Sequence, residues 1–555
     1  MNRRAFLLGS SARAFAAAGG GPGFRLTDVT AQAGLNFQHN SGGYGAKYLP
    51  ETMGPGCAFI DYDNDGWLDI LIANGMDFPG HARQHSTLKL YRNNRNGTFT
   101  DVTVQAGLNV EMYAMGLAIA DYDNDGFPDI YVTCVGQNRL FRNTGKGRFV
   151  DATVAAGLGS RVSFSTSALW FDYDRDGLLD LFVCNYVKWS PEHDVFCAAD
   201  GRNKSYCTPE AYRGSTCWLF RNKGNGTFED VTAKSGIFDS TSKSLGVAMF
   251  DYDRDGWLDL IVANDTQPNK LYRNNRDGTF AEIGVRAGVA FSEDGKARAG
   301  MGVDVADFEN SGMAGIAITN FDNEMMALHR GGTLVDVAVR TGVGGASRNS
   351  LGFGCLFADL DLDGWLDLVA VNGHIDSTAR NLRPGAVYAQ APHVFLNEGR
   401  GAKFRDVAGE VGGGFATPKV ARGLACGDFD GDGDVDLLVT TNQGPALLYR
   451  NDVGNGNRSL RLRLMGKKSN RDAIGAVVRL FTSDGQQQTR MVKTGSSYLS
   501  QSELALTFGL GRREGAERMV VEWPNGRTDE FKTVTAGAWE LVEGDSLSRP
   551  RSGRR

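Results

Sequence analysis

Short apolar runs separated by acidic or glycine-rich turns recur along most of this chain, and together they form a repeating unit. One copy contains the apolar residues 246–250, an acidic loop, the apolar residues 258–263 and then Leu-Tyr-Arg-Asn from Leu271. An Asp-Gly turn at residues 277–278 leads into the final Thr-Phe, which is typical of a hairpin because Gly accepts positive φ. Continuous apolar runs fit strands that are buried on both faces. The unit therefore predicts a four-stranded antiparallel sheet.

The number and spacing of the units indicate how the sheets are arranged. Acidic loops begin 51 to 79 residues apart, at Asp61, Asp121, Asp172, Asp251, Asp307, Asp359 and Asp428. Residues 24–30 match the strand that ends each later unit, whereas the last unit stops after Asn451. The N-terminal strand could therefore complete the last sheet and remove exposed edges. The sequence predicts an all-β fold, with a seven-bladed β-propeller over residues 24–452; an open solenoid is the structural alternative.

The pattern changes after the last unit. Residues 459–464 read Ser-Leu-Arg-Leu-Arg-Leu, an alternation that predicts a half-exposed strand, and similar alternation continues at 476–480 and 519–522. We expect a small β-sandwich-like domain over residues 457–545. The basic residues 546–555 are predicted to form a disordered tail.

Six of the seven acidic loops follow the pattern D-x-D-x-D-G-x-x-D. Gly at position 6 lets the chain fold sharply, so that carboxylates at positions 1, 3, 5 and 9 converge, and the carbonyl of position 7 adds an oxygen. Such a set of hard oxygen ligands selects calcium over zinc or copper, and we expect about six structural ions. The predicted ligands are Asp61, Asp63, Asp65, Trp67, Asp69, Asp121, Asp123, Asp125, Phe127, Asp129, Asp172, Asp174, Asp176, Leu178, Asp180, Asp251, Asp253, Asp255, Trp257, Asp259, Asp359, Asp361, Asp363, Trp365, Asp367, Asp428, Asp430, Asp432, Asp434 and Asp436.

The loop at Asp307 departs from this pattern. Its ligand positions read Asp307, Glu309, Ser311 and Gly315, so weak metal binding or none is expected there. A catalytic role for the six regular loops is disfavoured, because catalysis needs one site whereas a shared fold needs one per blade.

The acidic loops also explain the net charge. Positions 1, 3, 5 and 9 of the six regular loops hold 24 of the 65 acidic residues, and six divalent ions would change the formal net charge of -6 to +6. Neither a dense Lys/Arg stripe nor a base-stacking motif occurs, so no nucleic-acid partner is predicted.

The N-terminus carries targeting information. Residues 1–18 begin Met-Asn-Arg-Arg, continue with a short apolar run and end in small residues, which resembles a twin-arginine-type export signal. We expect cleavage near Ala16 or Ala18 and a periplasmic or extracellular location. No later segment approaches the roughly 18 apolar residues of a membrane-spanning helix, so no transmembrane segment is predicted.

The cysteines fall into two groups. Cys57, Cys355 and Cys426 precede acidic loops in apolar runs and are expected to be buried thiols. Cys197, Cys207 and Cys217 lie in a polar insertion, where one disulfide is plausible after export, as Cys207–Cys217 or Cys197–Cys217. The pairing among these three and Cys184 stays open.

These motifs resemble a known family. The acidic loops, with Leu-Tyr-Arg-Asn and Gly-Thr-Phe-x-Asp-Val-Thr, resemble FG-GAP/VCBS repeats over about residues 24–452. The stretches 469–476, 495–502, 508–511 and 521–526 are similar to an ASPIC/UnbV domain, and the combination resembles bacterial relatives of cartilage acidic protein. The resemblance implies an exported calcium-binding protein. Animal members are associated with matrix or adhesion, and some bacterial members accompany secondary-metabolite pathways.

Two classes of function remain open. One is a binding, adhesion or scaffold module that recognises a protein, glycan or small-molecule ligand on a calcium-stiffened propeller. The alternative is an enzyme of secondary metabolism or carbohydrate processing, with its site at one mouth of the propeller. Its candidate acid and base residues are His39, Glu51 and His374, in predicted turns. The same residues could instead be polar turn residues that hydrogen-bond the inner strands.

Overall fold

The computed structural model describes residues 21–81, 84–198, 201–379, 385–399 and 401–550. The predicted export signal at 1–18 lies outside these residues. Helices are few and short; they are α1 Thr30–Ala33, α2 Gly284–Ala287, α3 Ala338–Thr341 and α4 Val343–Ser347, with 3-10 helices at Leu49–Thr52, Pro191–His193 and Pro209–Ala211. Among the described residues, none of the helices has the length and apolar character needed to cross a bilayer.

Each repeat folds as predicted into an antiparallel sheet, which we number as a blade in the order of the acidic loops. The first strand is an almost fully buried apolar run, the acidic loop follows it, and Leu-Tyr-Arg-Asn forms the third strand. The strands of blades 1 to 3 are β2 Cys57–Ile60, β3 Asp69–Ile72, β4 Lys89–Asn93 and β5 Phe99–Asp101; β6 Ala114–Ala120, β7 Asp129–Gln137, β8 Arg139–Asn143 and β9 Phe149–Asp151; β10 Val162–Phe171, β11 Asp180–Asn185, β12 Trp218–Asn222 and β13 Phe228–Asp230.

Blades 4, 6 and 7 have the same four-stranded order, whereas blade 5 has three strands within the described residues. Their strands are β14 Ser244–Phe250, β15 Asp259–Asn264, β16 Lys270–Asn274 and β17 Phe280–Glu282; β18 Gly300–Ala306, β19 Gly315–Asn320 and β20 Ala327–His329; β21 Gly352–Ala358, β22 Asp367–Asn372, β23 His393–Asn397 and β24 Phe404–Asp406; β25 Ala421–Gly427, β26 Asp436–Thr441, β27 Ala446–Val453 and β1 Phe24–Asp28.

The blades close into a ring. Each inner strand contacts the inner strand of the next blade, and β25 of blade 7 contacts β2 of blade 1. β1 supplies the outer strand of blade 7, pairing antiparallel with β27 from Phe24 opposite Val453 to Asp28 opposite Tyr449. The predicted closure by the N-terminal strand is therefore present, and the open solenoid is excluded. Apolar side chains of adjacent blades form the cores between them.

The C-terminal domain is a sandwich of two sheets. One sheet has the order β31-β28-β34 and the other the order β30-β29-β32-β33. Alternate residues of β28 and β29, such as Leu462 and Leu480, point into the shared core, which explains the alternating sequence. The strands are β28 Arg458–Met465, β29 Val477–Phe481, β30 Gln487–Met491, β31 Leu506–Gly511, β32 Gly515–Glu522, β33 Thr528–Thr535 and β34 Gly537–Val542.

The start of the predicted disordered tail is attached to this domain. Ser548 and Glu540 exchange two backbone hydrogen bonds, and the Arg549 guanidinium lies 3.8 Å above the Trp539 ring. Disorder, predicted for 546–555, therefore does not describe residues 546–550; residues 551–555 lie outside the described part of the chain.

The C-terminal domain sends residues 493–503, which we call the central segment, into the middle of the propeller. Leu117 N donates to Leu499 O at 3.0 Å, Val303 N donates to Ser497 O at 3.0 Å, and Glu503 N donates to Cys426 O at 3.0 Å. The segment also contacts β2, β10, β14 and β21, so it touches the inner strand of every blade. At Gly56 a Cβ atom would lie 1.8 Å from Leu499 O, so this position must be glycine.

Candidate metal centres

The acidic loops owe their shape to the aspartates themselves. In blade 1, Asp61 accepts hydrogen bonds from Asp65 N at 2.9 Å and Gly66 N at 3.2 Å, and Asp65 accepts one from Trp67 N at 3.0 Å. Asp69 accepts one from Tyr62 N at 3.2 Å. At least one oxygen each of Asp61, Asp65 and Asp69 therefore bonds the loop backbone, which turns these carboxylates toward a common centre.

Two positions in each regular loop require a left-handed backbone. Gly at position 6 was recognised in the sequence, and Gly66 has φ 87°. Position 4 is also left-handed, at φ 56° in Asn64, 60° in Arg175 and 58° in Leu362. Because this conformation is costly for a side chain as large as leucine, the surrounding bonds must hold it in place. The sequence pattern concealed this position, since its residue type varies.

The carboxylates meet closely enough to hold an ion. In at least five loops of the described residues, three aspartates offer oxygens that all lie within 4.8 Å of one another; the triads include Asp61, Asp63 and Asp69; Asp121, Asp123 and Asp129; Asp172, Asp174 and Asp180; Asp251, Asp253 and Asp255; and Asp359, Asp361 and Asp363. These loops could therefore hold metal ions.

Several of these oxygens need a partner that the protein does not supply. The Oδ1 atoms of Asp63, Asp174, Asp359, Asp430 and Asp434 are buried and have no hydrogen-bond donor. A buried carboxylate oxygen without a donor is costly, and a cation at the centre of the loop would satisfy it. The residues present thus fit a hard cation bound through oxygen.

The electrostatics point the same way. Burial, together with the charges of neighbouring aspartates and Asp472, raises the pKa of Asp121 to about 8. Burial, aided by the charges of the adjacent aspartates, likewise raises the pKa of Asp172 and of Asp361 to about 7. Without a cation, these carboxylates would therefore resist ionisation together at neutral pH. A bound divalent ion reverses this effect because it stabilises the ionised form.

The asparagine that ends the third strand ties neighbouring loops together. Asn274 N donates to Asp259 Oδ1 at 2.7 Å, and its side-chain Nδ2 donates to Leu258 O at 3.3 Å and to Tyr173 O in blade 3 at 2.8 Å. Equivalent bonds across blades are made by Asn93, Asn143, Asn222, Asn397 and Asn451. Sequence reasoning used Leu-Tyr-Arg-Asn as a strand marker and missed this role, although the Asn that recurs in the six regular repeats carried the information.

Blade 5 replaces the acidic cluster with an ion pair. Arg330, which occupies the Arg position of Leu-Tyr-Arg-Asn, donates from Nε to both oxygens of Glu309, at 2.8 and 2.9 Å. In blade 4 the equivalent Arg273 contacts Asp253 through one oxygen, at 2.6 Å. At position 9, Gly315 has no side chain to offer. Blade 5 therefore has fewer carboxylate oxygens that could face a cation than the regular loops have, and both oxygens of Glu309 are bonded to Arg330.

The three candidate catalytic residues are buried and have hydrogen-bond partners. His39, Glu51 and His374 have relative exposures of 4%, 1% and 7%. His39 Nδ1 accepts a bond from Gln443 N at 3.1 Å, Glu51 accepts bonds from Tyr48 N and Tyr206 Oη at 2.9 Å each, and His374 Nδ1 accepts one from Asp376 N at 3.1 Å. Burial, aided by the Arg422 charge, lowers the pKa of His39 to about 3. These contacts favour the structural interpretation of the three residues.

A buried arginine that the sequence did not single out links the same turns. Arg422 Nε donates to Thr52 O at 2.8 Å, and its Nη atoms donate to Gly373 O at 3.1 Å and His374 O at 3.2 Å. Its guanidinium lies 3.9 Å above the Phe353 ring, and burial lowers its pKa to about 10. Because the partners of Arg422 are backbone carbonyls, no acidic residue in the sequence indicated that this arginine would be buried.

The polar insertion of blade 3, residues 186–216, covers this mouth of the propeller. Tyr206 bonds Glu51, and the rings of Trp189 and Tyr48 are 5.4 Å apart. The disulfide in the structure is Cys197–Cys207, so both pairings predicted with Cys217 were wrong. The reason is that the insertion folds back on itself, so that Cys197 lies opposite Ser205, close to Cys207. Cys217 instead lies against blade 4, with its Sγ 3.1 Å from Ser244 Oγ.

On the opposite face, the C-terminal domain lies against the acidic loops. Arg461 Nε is 3.1 Å from Asp428 Oδ2, Asp472 accepts a bond from Asp121 N at 2.7 Å, and Asp359 accepts one from Gly509 N at 3.0 Å. A groove of about 750 Å³ opens between blades 5 and 6 and this domain, lined by residues that include Trp365 and Gln486. The domain therefore contacts several loops that could hold metal.

Together, the ring, the acidic loops and the sandwich define an all-β propeller protein with acidic clusters that could bind ions. Residues 61–132, 132–183, 193–262 and 251–318 match the FG-GAP-like repeat, and residues 466–547 match the ASPIC and UnbV family. The chain is an FG-GAP-like repeat protein with a C-terminal ASPIC and UnbV domain.

Similar proteins include animal ones. Cartilage acidic protein 1 of Mus musculus is 26% identical over 488 residues, which is 85% of this chain and 61% of that protein. The Homo sapiens protein of the same name is 26% identical over 85% of this chain and 60% of its own length. This chain thus spans about three fifths of the curated relatives it matches. A solved Agrocybe aegerita lectin, described as recognising non-reducing terminal N-acetylglucosamine, has a TM-score of 0.40 at 17% identity, over 69% of this chain and 88% of the lectin.

Proposed function

We propose that this chain is an exported calcium-binding propeller that acts as a binding or scaffold module, with calcium as a structural ion. The observation that carries the proposal is the repetition of one carboxylate cluster in the blades, with buried oxygens that have no donor from the protein. A metal site that is repeated around a ring stabilises the whole ring, which is a structural role. The asparagine bonds between loops would transmit the stiffening of one blade to the next.

The calcium ligands we propose are the aspartates and position-7 carbonyls of the six regular loops, with Asp434 contributing its side chain as well. Blade 5 is excluded because Arg330 occupies both oxygens of Glu309. Calcium supplies a charge that keeps the clustered carboxylates ionised; the chain supplies the turn that orients them. At a free calcium concentration 100 times the dissociation constant, binding would stabilise the folded state by roughly 2.7 kcal/mol per site.

Calcium content and thermal unfolding test this part of the proposal. We expect Asp123→Asn to lower the number of calcium ions per chain by one and to lower Tm, because position 3 of blade 2 loses its charge. Glu309→Gln is the matched control in blade 5 and should leave the calcium content unchanged. A purified protein that holds no calcium, and whose Tm is the same before and after chelation, would contradict the proposal.

For the binding role, we propose that a protein, glycan or small molecule is recognised on a surface that the ions hold rigid. The groove beside Trp365 is one such surface, since an aromatic side chain and amide groups line it. Capture experiments with glycans and metabolites on the calcium-loaded protein, compared with Trp365→Ala, test this. Trp365→Ala keeps the backbone carbonyl proposed as a calcium ligand, so capture should fall while calcium content stays constant. Equal capture by both proteins would place recognition elsewhere.

A further inference from the structure

Two cysteine pairs belong to the insertion of blade 3. Cys197 and Cys207 form a disulfide in its middle. Cys184 is the second-last residue of β11, and Cys217 directly precedes β12, so these two stand where the insertion leaves and rejoins the blade. At the equivalent places blade 1 has Ala73 and Leu88, and blade 4 has Ala263 and Asn269. A cysteine at each end of this connection is thus found in the blade that carries the insertion.

The strand register sets Cys184 and Cys217 opposite each other. Val183 pairs with Trp218 in the antiparallel ladder of β11 and β12, and the next step of the same register brings Cys184 opposite Cys217. Because side chains alternate along a strand, both cysteines project from the same face of the sheet.

The hydrogen bonds of the neighbouring pair show what kind of position this is. Leu219, opposite Phe182, directs its backbone toward β13: its N donates to Thr232 Oγ1 at 3.0 Å and its O accepts from Val231 N at 2.9 Å. The Phe182–Leu219 pair is therefore not hydrogen-bonded, and neither is the pair two residues along, Cys184–Cys217. Opposed Cα atoms at such positions are about 4.5 Å apart. Disulfides span Cα distances of about 4.4–6.8 Å.

The two thiols share one buried environment. They are within hydrogen-bonding distance of each other. Cys217 Sγ donates to Ser244 Oγ at 3.1 Å, and Cys184 Sγ donates to Gly246 O at 3.9 Å, so both lie against β14. Ser244 Oγ also donates to Asn264 Oδ1 at 2.9 Å, so it would keep a partner if Cys217 lost its proton.

We propose that Cys184 and Cys217 form a second disulfide, nested outside Cys197–Cys207, that fastens the base of the insertion. Each thiol gives up one proton and one electron as the sulfur–sulfur bond forms. The two electrons reduce the disulfide of an oxidant, either a thiol–disulfide oxidoreductase of the export compartment or oxidised glutathione in vitro, to two thiols. In the cell the bond rests on the proposed export, because cytosolic thiols are kept reduced.

The bond would fix the cover of the propeller mouth. The insertion bonds Glu51 through Tyr206 and packs Trp189 against Tyr48, so its base determines how firmly it is held there. With both disulfides formed, the whole connection from Cys184 to Cys217 would be closed in two loops. Reduction would loosen the cover without breaking the blade, whose strands are held by their own ladder.

Counting thiols tests the proposal. The full chain is equilibrated with oxidised glutathione, denatured, alkylated without reduction and digested for mass spectrometry. Of the eight cysteines, we expect alkylation at four, Cys57, Cys134, Cys355 and Cys426, and a linked peptide that joins Cys184 to Cys217. Six alkylated thiols beside an intact Cys197–Cys207, or eight, would overturn the proposal. Because oxidation is imposed in vitro, this result does not depend on export.

Variants separate the bond from a packing effect. Cys184→Ser should leave Cys217 alkylated and speed protease cleavage within residues 186–216 under native conditions. Cys134→Ser removes another buried thiol of the propeller and should keep both linked peptides and the original cleavage rate. Equal cleavage rates for the two variants would show that the base of the insertion does not need the bond.

Discussion

At the scale of single residues, the asparagine that ends the third strand supports the acidic loops although it lies outside them. Asn274 uses its backbone N to fix Asp259 and its side chain to hold the loop of blade 3. It is buried, so each of these bonds replaces water that cannot reach the group. Because this bond joins the acidic loops of adjacent blades, the conformation of one loop depends on that of the next.

We expect Asn274→Ala to destabilise the protein by about 1–3 kcal/mol, because Tyr173 O and Leu258 O lose their side-chain donor. Calcium affinity should fall as well, since the loops of blades 3 and 4 come apart. Denaturant unfolding and calorimetric titration measure the two effects. Asn275→Ala is the adjacent control, with one exposed side-chain bond to Thr279, and should change stability by no more than about 0.5 kcal/mol. Equal effects of the two changes would refute the role given to Asn274.

At the scale of elements, the central segment connects the inner strands of the blades to one another. Gln501 imitates a strand: its Oε1 accepts from Ile119 N and its Nε2 donates to Ile119 O, both at 2.8 Å, while its own backbone pairs with Cys57 and Phe59. The inner strands of blades 1 and 2 are therefore joined through a residue of the other domain.

Gln501→Leu should cost about 1–3 kcal/mol, because the amide and carbonyl of Ile119 would be buried without a partner. The measurement is denaturant unfolding followed by tryptophan fluorescence and circular dichroism together. Gln487→Leu, at a half-buried position of β30 whose amide makes a weak 3.5 Å contact, is the control and should have little effect. If Gln501→Leu unfolds like the control, the bonds to Ile119 do not hold the ring.

At the scale of the whole molecule, the ring is closed from both ends of the chain. β1 completes blade 7, and the central segment contacts the inner strand of every blade. The C-terminal domain also contacts the loops at Asp121, Asp359 and Asp428. The two domains therefore share one interface that includes candidate metal loops, and we expect them to unfold together.

Removal of residues 457–555 tests this coupling. The propeller alone should have a lower Tm and should associate, because its channel would lose the polar partners and apolar cover of the central segment. If the propeller is instead independent, it should keep the Tm of the full chain even when the separate C-terminal domain is not added. A truncated chain that stays monomeric, with the Tm and calcium content of the full chain, would contradict the expected coupling.

The blade, the acidic loop and the closure by β1 could all be predicted from the order of residues, because each depends on residues close together within one repeat or on a repeat left incomplete. Gly66, the aspartates and Leu-Tyr-Arg-Asn act within a single unit, so their spacing carries the structure. The folded structure was needed to find the path of the central segment, the burial of Arg422, His39 and Glu51, and the Cys197–Cys207 pair. Those features arise where surfaces from distant parts of the chain meet. Such contacts depend on shape and on backbone groups that every residue has, so no local pattern of residue types records them.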